Sequence, residues 1–360
     1  MIKFYNIFKC KNYCFFVTNS LGELDFILPL ILSIKKKLSD SKFSIFILSN
    51  KISLQFEENK MYKKLSLKLG VNVYSKSYKF NLNKKINSNT SHLIEILFIV
   101  FNLYSIIHHY LRNDLILIEN SGRSLGSKFL RLIYFISKKK IILIPHTSSK
   151  INLKTKVKKF EKPIVFKKTP FMILNKSEIK YYKNFYFGEA VYFKNPINLE
   201  WKKFILKNFK KQKKENYMSI YLNNFIDKKT YLYLLLFTLK NIYKLNKNLK
   251  IYLKRHPRHF NFQIENSILR KVIKKFKKKL DIELSDENSS ILSTFSVLNI
   301  SLMSNSIFLC NEMNKNSVYF FLNSKEVRKR FKTLPFPLYQ KNIKSFQGTK
   351  KINSFLKKVL

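Results

Sequence analysis

Short runs of β-branched and aromatic residues alternate with longer stretches of helical periodicity along most of the 360 residues. In the first half, Tyr13–Thr18, Phe43–Leu48, Val71–Tyr74, Leu115–Glu119 and Ile141–Pro145 read as strands. Between them, Leu24–Leu38, Leu93–Leu111 and Ser127–Ile136 read as helices. The pattern pauses over the polar, basic stretch Lys150–Lys168. It then gives Phe171–Leu174, a helix near Ser177–Lys183, Phe185–Phe187 and, after Pro196, a helix over Leu199–Phe209. Beyond a basic linker, Lys210–Glu215, strands are expected at Tyr217–Leu222, Leu249–Leu253, Asp281–Leu284, Val297–Leu302 and Val318–Leu322. The helices between them are Lys228–Leu245, Ile268–Lys279, a short one near Ser289–Thr294 and one from Ile307. Strands alternating with crossover helices predict parallel sheets. The expectation is an α/β chain of two Rossmann-like doubly wound domains, 1–195 and 196–360, facing a central cleft.

Composition narrows this picture. Seventy Lys+Arg against 21 Asp+Glu give a net charge of +49, and 62 of the bases are Lys. The lysines are spread along the whole chain beside 34 Phe and 20 Tyr. That uniformity reads as compositional background with an anionic-membrane or acidic-ligand contribution. Nucleic acid is not expected as a partner, because a dedicated binder would use more Arg. With six glycines in all, no phosphate loop of the G-x-G-x-x-G or G-x-x-x-x-G-K kind is present. At 46% hydrophobic and 15% aromatic residues, disorder is excluded as well. Cys10, Cys14 and Cys310 read as free thiols, with no second pair to complete a zinc site. The longest uncharged apolar run, Ile96–Leu111, holds Asn102 and His108-His109 and falls short of a membrane span. It reads as a buried helix, at most an interfacial one, with the two histidines in packing roles. The amphipathic segment Ile268–Leu280 is a weaker membrane candidate. No targeting segment is expected, and the chain reads as cytoplasmic, peripheral at most on the inner face of the cytoplasmic membrane.

In doubly wound sheets, ligands sit beyond the carboxyl ends of the strands, so the polar residues there are the candidates for chemistry. Asn19-Ser20-Leu21-Gly22-Glu23 offers two readings. Ser20 and Glu23 have the S-x-x-E spacing of a capping box, and Glu23 could equally serve as a general base, with Gly22 allowing a close approach. Lys254-Arg255-His256-Pro257-Arg258 puts three cations and an imidazole at a strand end, suited to phosphate oxygens. Ser304-Asn305-Ser306 precedes a helix and reads either as capping or as an anion site, with Glu312 six residues beyond. Glu119 and Gly122 follow one strand of the first half and His146 follows another, where it could orient a substrate.

These residues resemble those of the GT-B glycosyltransferases, above all the 3-deoxy-manno-octulosonate (Kdo) transferases. In that family an S-x-G-E loop precedes a helix with a Pro-Leu pair, which here reads Ser20-Leu21-Gly22-Glu23 and Pro29-Leu30. The family's R-H-P-x-R run is matched in part by Arg255-His256-Pro257-Arg258, and Tyr186-Phe187-Gly188-Glu189 stands where a V-x-G-N precedes the second domain. Capsule-type glycerophosphate and sialyl transferases share a K-x-H-P strand end and a later Ser pair, similar to Lys254–Pro257 and Ser304–Ser306. The Gly-Gly-His-Asn loop of the Kdo transferases is replaced by Met303-Ser304-Asn305-Ser306.

The resemblance implies an inverting, metal-independent transferase without a cofactor. It would move a sugar or related group from a nucleotide-activated donor to a cell-surface glycan or lipid-linked acceptor. It gives Glu23 the role of base, with His146 helping to place the acceptor. It sets Lys254, Arg255, His256, Arg258 and Ser304–Ser306 on the donor phosphates, with Glu312 on the ribose. Ser20, Gly22, Glu119 and Gly122 would line the acceptor side. A nucleotide-sugar epimerase on the same fold, or a non-catalytic polyanion-binding protein, are the alternative functions.

Overall fold

The computed structural model describes residues 2–3, 10–78, 88–119, 124–137, 141–145, 169–174, 189–209, 216–223, 228–246, 248–255, 263–285, 287–323 and 342–360. The chain divides into two compact units between Pro196 and Ile197. Each is an α/β unit around one parallel sheet.

The first unit has eight strands: β1 (Ile2–Lys3), β2 (Asn12–Val17), β3 (Lys42–Ile47), β4 (Asn72–Tyr74), β5 (Leu115–Glu119), β6 (Ile141–Ile144), β7 (Phe171–Ile173) and β8 (Ala190–Tyr192). They lie in the order β1-β8-β7-β6-β5-β2-β3-β4. Its helices are α1 (Leu24–Lys35), α2 (Asn50–Glu58), α3 (Lys60–Leu69), α4 (Ser88–Phe101), α5 (Leu103–Arg112) and α6 (Leu125–Ser137). The central strands read as continuous apolar runs because helices cover both faces of the sheet. All five residues of β5, for instance, are buried.

The second unit begins with α7 (Leu199–Asn208). Its strands β9 (Tyr217–Tyr221), β10 (Lys250–Lys254), β11 (Ile282–Ser285), β12 (Leu298–Leu302), β13 (Ser317–Phe321) and β14 (Lys344–Gln347) lie in the order β11-β10-β9-β12-β13-β14. The helices are α8 (Lys228–Leu245), α9 (Gln263–Lys277), α10 (Ser289–Phe295), α11 (Ile307–Met313) and α12 (Thr349–Val359). One core joins β9, β10, β12 and β13 to α8, α9 and α12 through Ile220, Leu235, Ile251, Leu269, Ile300 and Ile352.

Several elements differ from the sequence expectation. The helix expected over Leu93–Leu111 breaks at Asn102, whose buried side chain donates to the Phe98 carbonyl (2.8 Å), and the two pieces meet at 58°. Nor is this pair wholly buried, since much of its apolar surface faces solvent. The sequence expectation places no element over α2 and α3, yet Ile52 and Phe56, and Tyr62, Leu65 and Leu69, are buried at helical spacing. Side-chain caps fix their starts, with Ser49 Oγ accepting from the Ile52 N–H and Asn59 Oδ1 from the N–H groups of Met61 and Tyr62. The expected strand Phe185–Phe187 and the helix near Ser177–Lys183 lie outside the described residues, and the next described strand, β8, was not expected. The apolar face of α9 is already used, because Leu269, Val272 and Phe276 are buried in the core. That removes this helix as a membrane contact.

Candidate active site at two strand-order reversals

Each sheet runs outward from one central strand, then returns to that strand's other side. In the first unit the chain goes β2, β3, β4 and comes back as β5 beside β2. In the second it goes β9, β10, β11 and comes back as β12 beside β9. Counted from β2 and β9, six strands of each sheet follow the order 3-2-1-4-5-6 of dinucleotide-binding folds, and the first sheet adds β8 and β1 beyond β7. At such a reversal the two flanking crossovers leave on opposite faces, which opens a crevice at the strand ends.

The first reversal is occupied by two buried carboxylates. Glu23 follows β2 at the end of a single 3-10 turn, Leu21–Glu23, and Glu119 is the last residue of β5. Each exposes 2% of its surface. Of the capping box that the S-x-x-E spacing predicts, the Glu23 half is made, its carboxylate accepting from the Ser20 N–H, whereas the buried Ser20 hydroxyl has no hydrogen-bond partner among the described residues. One Glu23 oxygen, Oε1, accepts from the Asn19 N–H (2.6 Å) and the Ser20 N–H (2.9 Å). The other, Oε2, accepts from the Thr18 N–H (3.2 Å). Asn19 ties the pair together, because its side-chain amide donates to Glu119 Oε2 while its backbone holds Glu23.

Burial pushes the Glu23 carboxyl up to about 8, and the neighbouring Glu119 charge adds to the rise. The three backbone N–H groups oppose it by favouring the charged form. Beneath the pair, Ser124 Oγ donates to Ser127 Oγ (2.8 Å), which donates to Thr18 Oγ1 (3.0 Å). Ser127 sits on α6, and Gly126 lets that helix approach β3. A Cβ at Gly126 would lie 2.7 Å from the Leu48 carbonyl oxygen.

At the second reversal the groups are hydroxyls, amides and one strained backbone. Met303, directly after β12, has φ +50, the one positive φ of a non-glycine among the described residues. Its N–H donates to the Phe320 carbonyl (3.0 Å), and its own carbonyl accepts from Asn223 Nδ2 (2.6 Å), at the end of β9. Asn223 is held in turn by Tyr231, whose hydroxyl accepts its N–H (2.8 Å). Ser304 is buried and donates to Ser306 Oγ (3.1 Å), while Asn305 is exposed. At the end of β10 the half-buried Lys254 ammonium donates to the Glu287 carbonyl, just ahead of the Asn288 cap of α10. Arg255 is half-buried beside it.

The structure therefore gathers Ser20, Gly22, Glu23 and Glu119 at one reversal and Ser304, Asn305 and Ser306 at the other, with Lys254 and Arg255 one strand away. Gly22 shows no positive φ, and among the described residues only Gly70 and Gly348 do so among the glycines. Glu312 is exposed on the second turn of α11, about 9 Å along the axis from Ser306. His146, His256, Arg258 and Gly122 lie outside the described residues, as do Gly188 and the linker 210–215. Pro29 and Leu30 are buried in α1 and act in packing. His109 packs its ring on Tyr74 (3.9 Å between centroids) and Phe46 (5.4 Å), the packing role expected of it. Sequence reasoning passed over Thr18, Ser124, Ser127 and Asn223. A Ser-x-x-Ser pair opening a helix and an Asn just past a strand were the available signals. Among the described residues no group of three or more His, Cys, Asp or Glu could hold a metal ion.

No protein-family model matches the chain, and no curated protein matches it in sequence. Solved structures do match its fold. MnaA of S. aureus, solved with UDP, is 10% identical and superposes with a TM-score of 0.57 over 97% of this chain and 87% of its own. A UDP-GlcNAc 2-epimerase of Methanocaldococcus jannaschii, solved with UDP-GlcNAc and UDP, is 13% identical, with a TM-score of 0.54 over 97% and 92%. HepE of Anabaena, solved with UDP-glucose, is 9% identical, with a TM-score of 0.50 over 96% and 89%. At these identities the likeness establishes the fold: two Rossmann-like doubly wound domains of the GT-B type.

Proposed function

We propose that the chain is a nucleotide-sugar-using enzyme that transfers the sugar to a cell-surface glycan or lipid-linked acceptor. The observation that carries this reading is the buried pair Glu23–Glu119 at the first reversal, with the Glu23 carboxyl raised to about 8. A carboxylate with that proton affinity is a far stronger base than an ordinary glutamate, which suits removal of a proton from a hydroxyl. Oε1 of Glu23 is committed to two N–H groups, whereas among the described residues Oε2 accepts from one, at 3.2 Å. The proposal therefore puts the acceptor hydroxyl over Oε2. Its proton passes to Glu23 as its oxygen bonds to the anomeric carbon. The bond from that carbon to the donor phosphate breaks, and the nucleotide leaves with the electron pair. A single displacement inverts the anomeric centre.

The second unit supplies the leaving-group end of this reading. Lys254 and Arg255, completed in the sequence by His256 and Arg258, would meet the phosphates together with Ser304, Asn305 and Ser306. His146 would help place the acceptor, and Glu312 would take the ribose hydroxyls. The bound UDP, UDP-GlcNAc and UDP-glucose of MnaA, the M. jannaschii enzyme and HepE support a uridine nucleotide as donor. The finer likeness to Kdo and capsule-type transferases rests on the short motifs alone.

A second reading is favoured by the same carboxylates and by the epimerase among the fold's neighbours. An epimerase must remove and return a proton at a sugar carbon, and two coupled carboxyls could do both. Thermal-shift titration with UDP, CDP, CMP and GDP, followed by incubation of the stabilising nucleotide's sugars with and without glycan acceptors, separates the readings. Transfer requires acceptor for nucleotide release, whereas epimerisation gives a new sugar without it. Glu23→Gln is expected to lower turnover by about 100-fold or more while the nucleotide shift is kept. A flat nucleotide panel, or full turnover by Glu23→Gln, would overturn the assignment.

A further inference from the structure

The helix pair α4–α5 carries an apolar surface that its own unit does not cover. On α4, Leu93, Ile96, Val100 and Phe101 are exposed; on α5, Leu103, Tyr104, Ile107 and Leu111 are exposed, Tyr104 at 82%. These make up half of the sixteen large exposed hydrophobics among the described residues. They recur at helical spacing, so each helix presents one outward stripe. The opposite face is anchored. Phe98, Ile99, Ile106 and Tyr110 are buried, and the Glu95 carboxylate accepts from Ser49 Oγ (3.2 Å) and the N–H groups of Asn50 (3.1 Å) and Lys51 (3.2 Å). No single helix among the described residues is long and apolar enough to cross a membrane; the bent pair has the length and composition only when its two pieces are taken together, and its inner face is held by the contacts just named.

Charge singles out the same surface. In a chain with 62 lysines, none falls between Lys85 and Lys128. The bases return at the margins. Lys76 lies 5.7 Å over the Tyr78 ring, which is 5.4 Å from the Phe101 ring. Arg112 ends α5 beside Tyr104, Ile107 and His108. On α6, which packs beside α4, Lys128 is exposed one turn before the exposed Leu132. An apolar centre with a cationic rim, on a body of net charge +49, fits an anionic lipid surface. A second copy of the chain fits less well, since it would bring the same +49 against it.

We infer that the outer face of α4–α5 docks on a bilayer bearing anionic headgroups, the apolar stripes entering the headgroup–acyl boundary and Lys76, Arg112 and Lys128 meeting the phosphates. This stands independently of the enzymatic reading. The test is flotation of the full chain with phosphatidylcholine vesicles, with and without about 30 mol% phosphatidylglycerol. The wild type should float with the anionic vesicles. The triple variant Phe101→Ser, Tyr104→Ser, Ile107→Ser should bind about tenfold or more weakly, with an unchanged thermal melt because all three positions are exposed. Tyr104→Trp adds a depth reading. Its fluorescence should be quenched by lipids brominated in the acyl chain, whereas the buried Trp201 should not respond. The inference fails if the triple variant floats like the wild type or if Trp at 104 is not quenched. It also fails if the variant only converts a dimer to a monomer in sedimentation.

Discussion

At the ends of β2 and β5 the first unit buries two carboxylates, each 2% exposed and joined through Asn19. At the ends of β9 and β12 the second unit buries a serine, ties an asparagine to a carbonyl, and holds Met303 at φ +50. Six strands follow the same order in both sheets, so topology decides where polar groups collect. Side chains decide what they can do there. Burial beside a second acid raises the proton affinity of Glu23, while hydroxyls and amides present neutral donors beside the half-buried bases Lys254 and Arg255. On the proposed reading, this difference would divide proton transfer from anion binding.

The first reversal is most vulnerable at Gly126. Gly126→Ala would place a methyl 2.7 Å from the Leu48 carbonyl oxygen, an atom that cannot turn aside. The expected cost is about 2–3 kcal/mol, read as a lower melting temperature, with loss of the Ser124–Ser127–Thr18 chain beneath the acids. An unchanged melt would show that α6 does not depend on this approach.

Glu119→Gln sharpens the contrast by removing one acid's charge while keeping its shape. Burial, the larger cause of the rise, remains, so the Glu23 carboxyl should fall below about 8 but stay above its ordinary value of 4.5. Because the folded state binds this proton more tightly than the unfolded chain, its stabilisation is complete below about 4.5 and is lost as pH rises through about 8. Thermal melts across that window should slope downward in the wild type and less steeply in the variant. Equal slopes would mean the two acids are not coupled.

Asn223→Ala addresses the second reversal and should have the smallest effect. It removes the 2.6 Å bond to the Met303 carbonyl, at a cost of about 1 kcal/mol in urea unfolding. Nucleotide-induced stabilisation should fall with it if Met303 aims the Ser304–Ser306 turn.

Much of this was legible in the chain. Apolar runs such as those of β2 and β5 declare buried parallel strands, and the scarce Gly22 beside Ser20 and Glu23 marked the first reversal. What stayed hidden depends on pairing across distance. The partnership of Glu23 with Glu119 exists because β2 and β5 become neighbours, with Phe16 opposite Ile118. Asn223 meets Met303 for the same reason, 80 residues apart in sequence. The break at Asn102 was invisible to periodicity because a side-chain amide, rather than Gly or Pro, ends the helix.

The edge strand β1 pairs with β8, Ile2 opposite Val191. The two partners stand 189 residues apart in the sequence, so this edge forms only by closing a very long loop. Loop closure over so many residues is slow, and β1 should join its sheet after β2 and β5 have paired. Pulsed hydrogen exchange during refolding should therefore protect the β2 and β5 amides before those of Ile2 and Lys3.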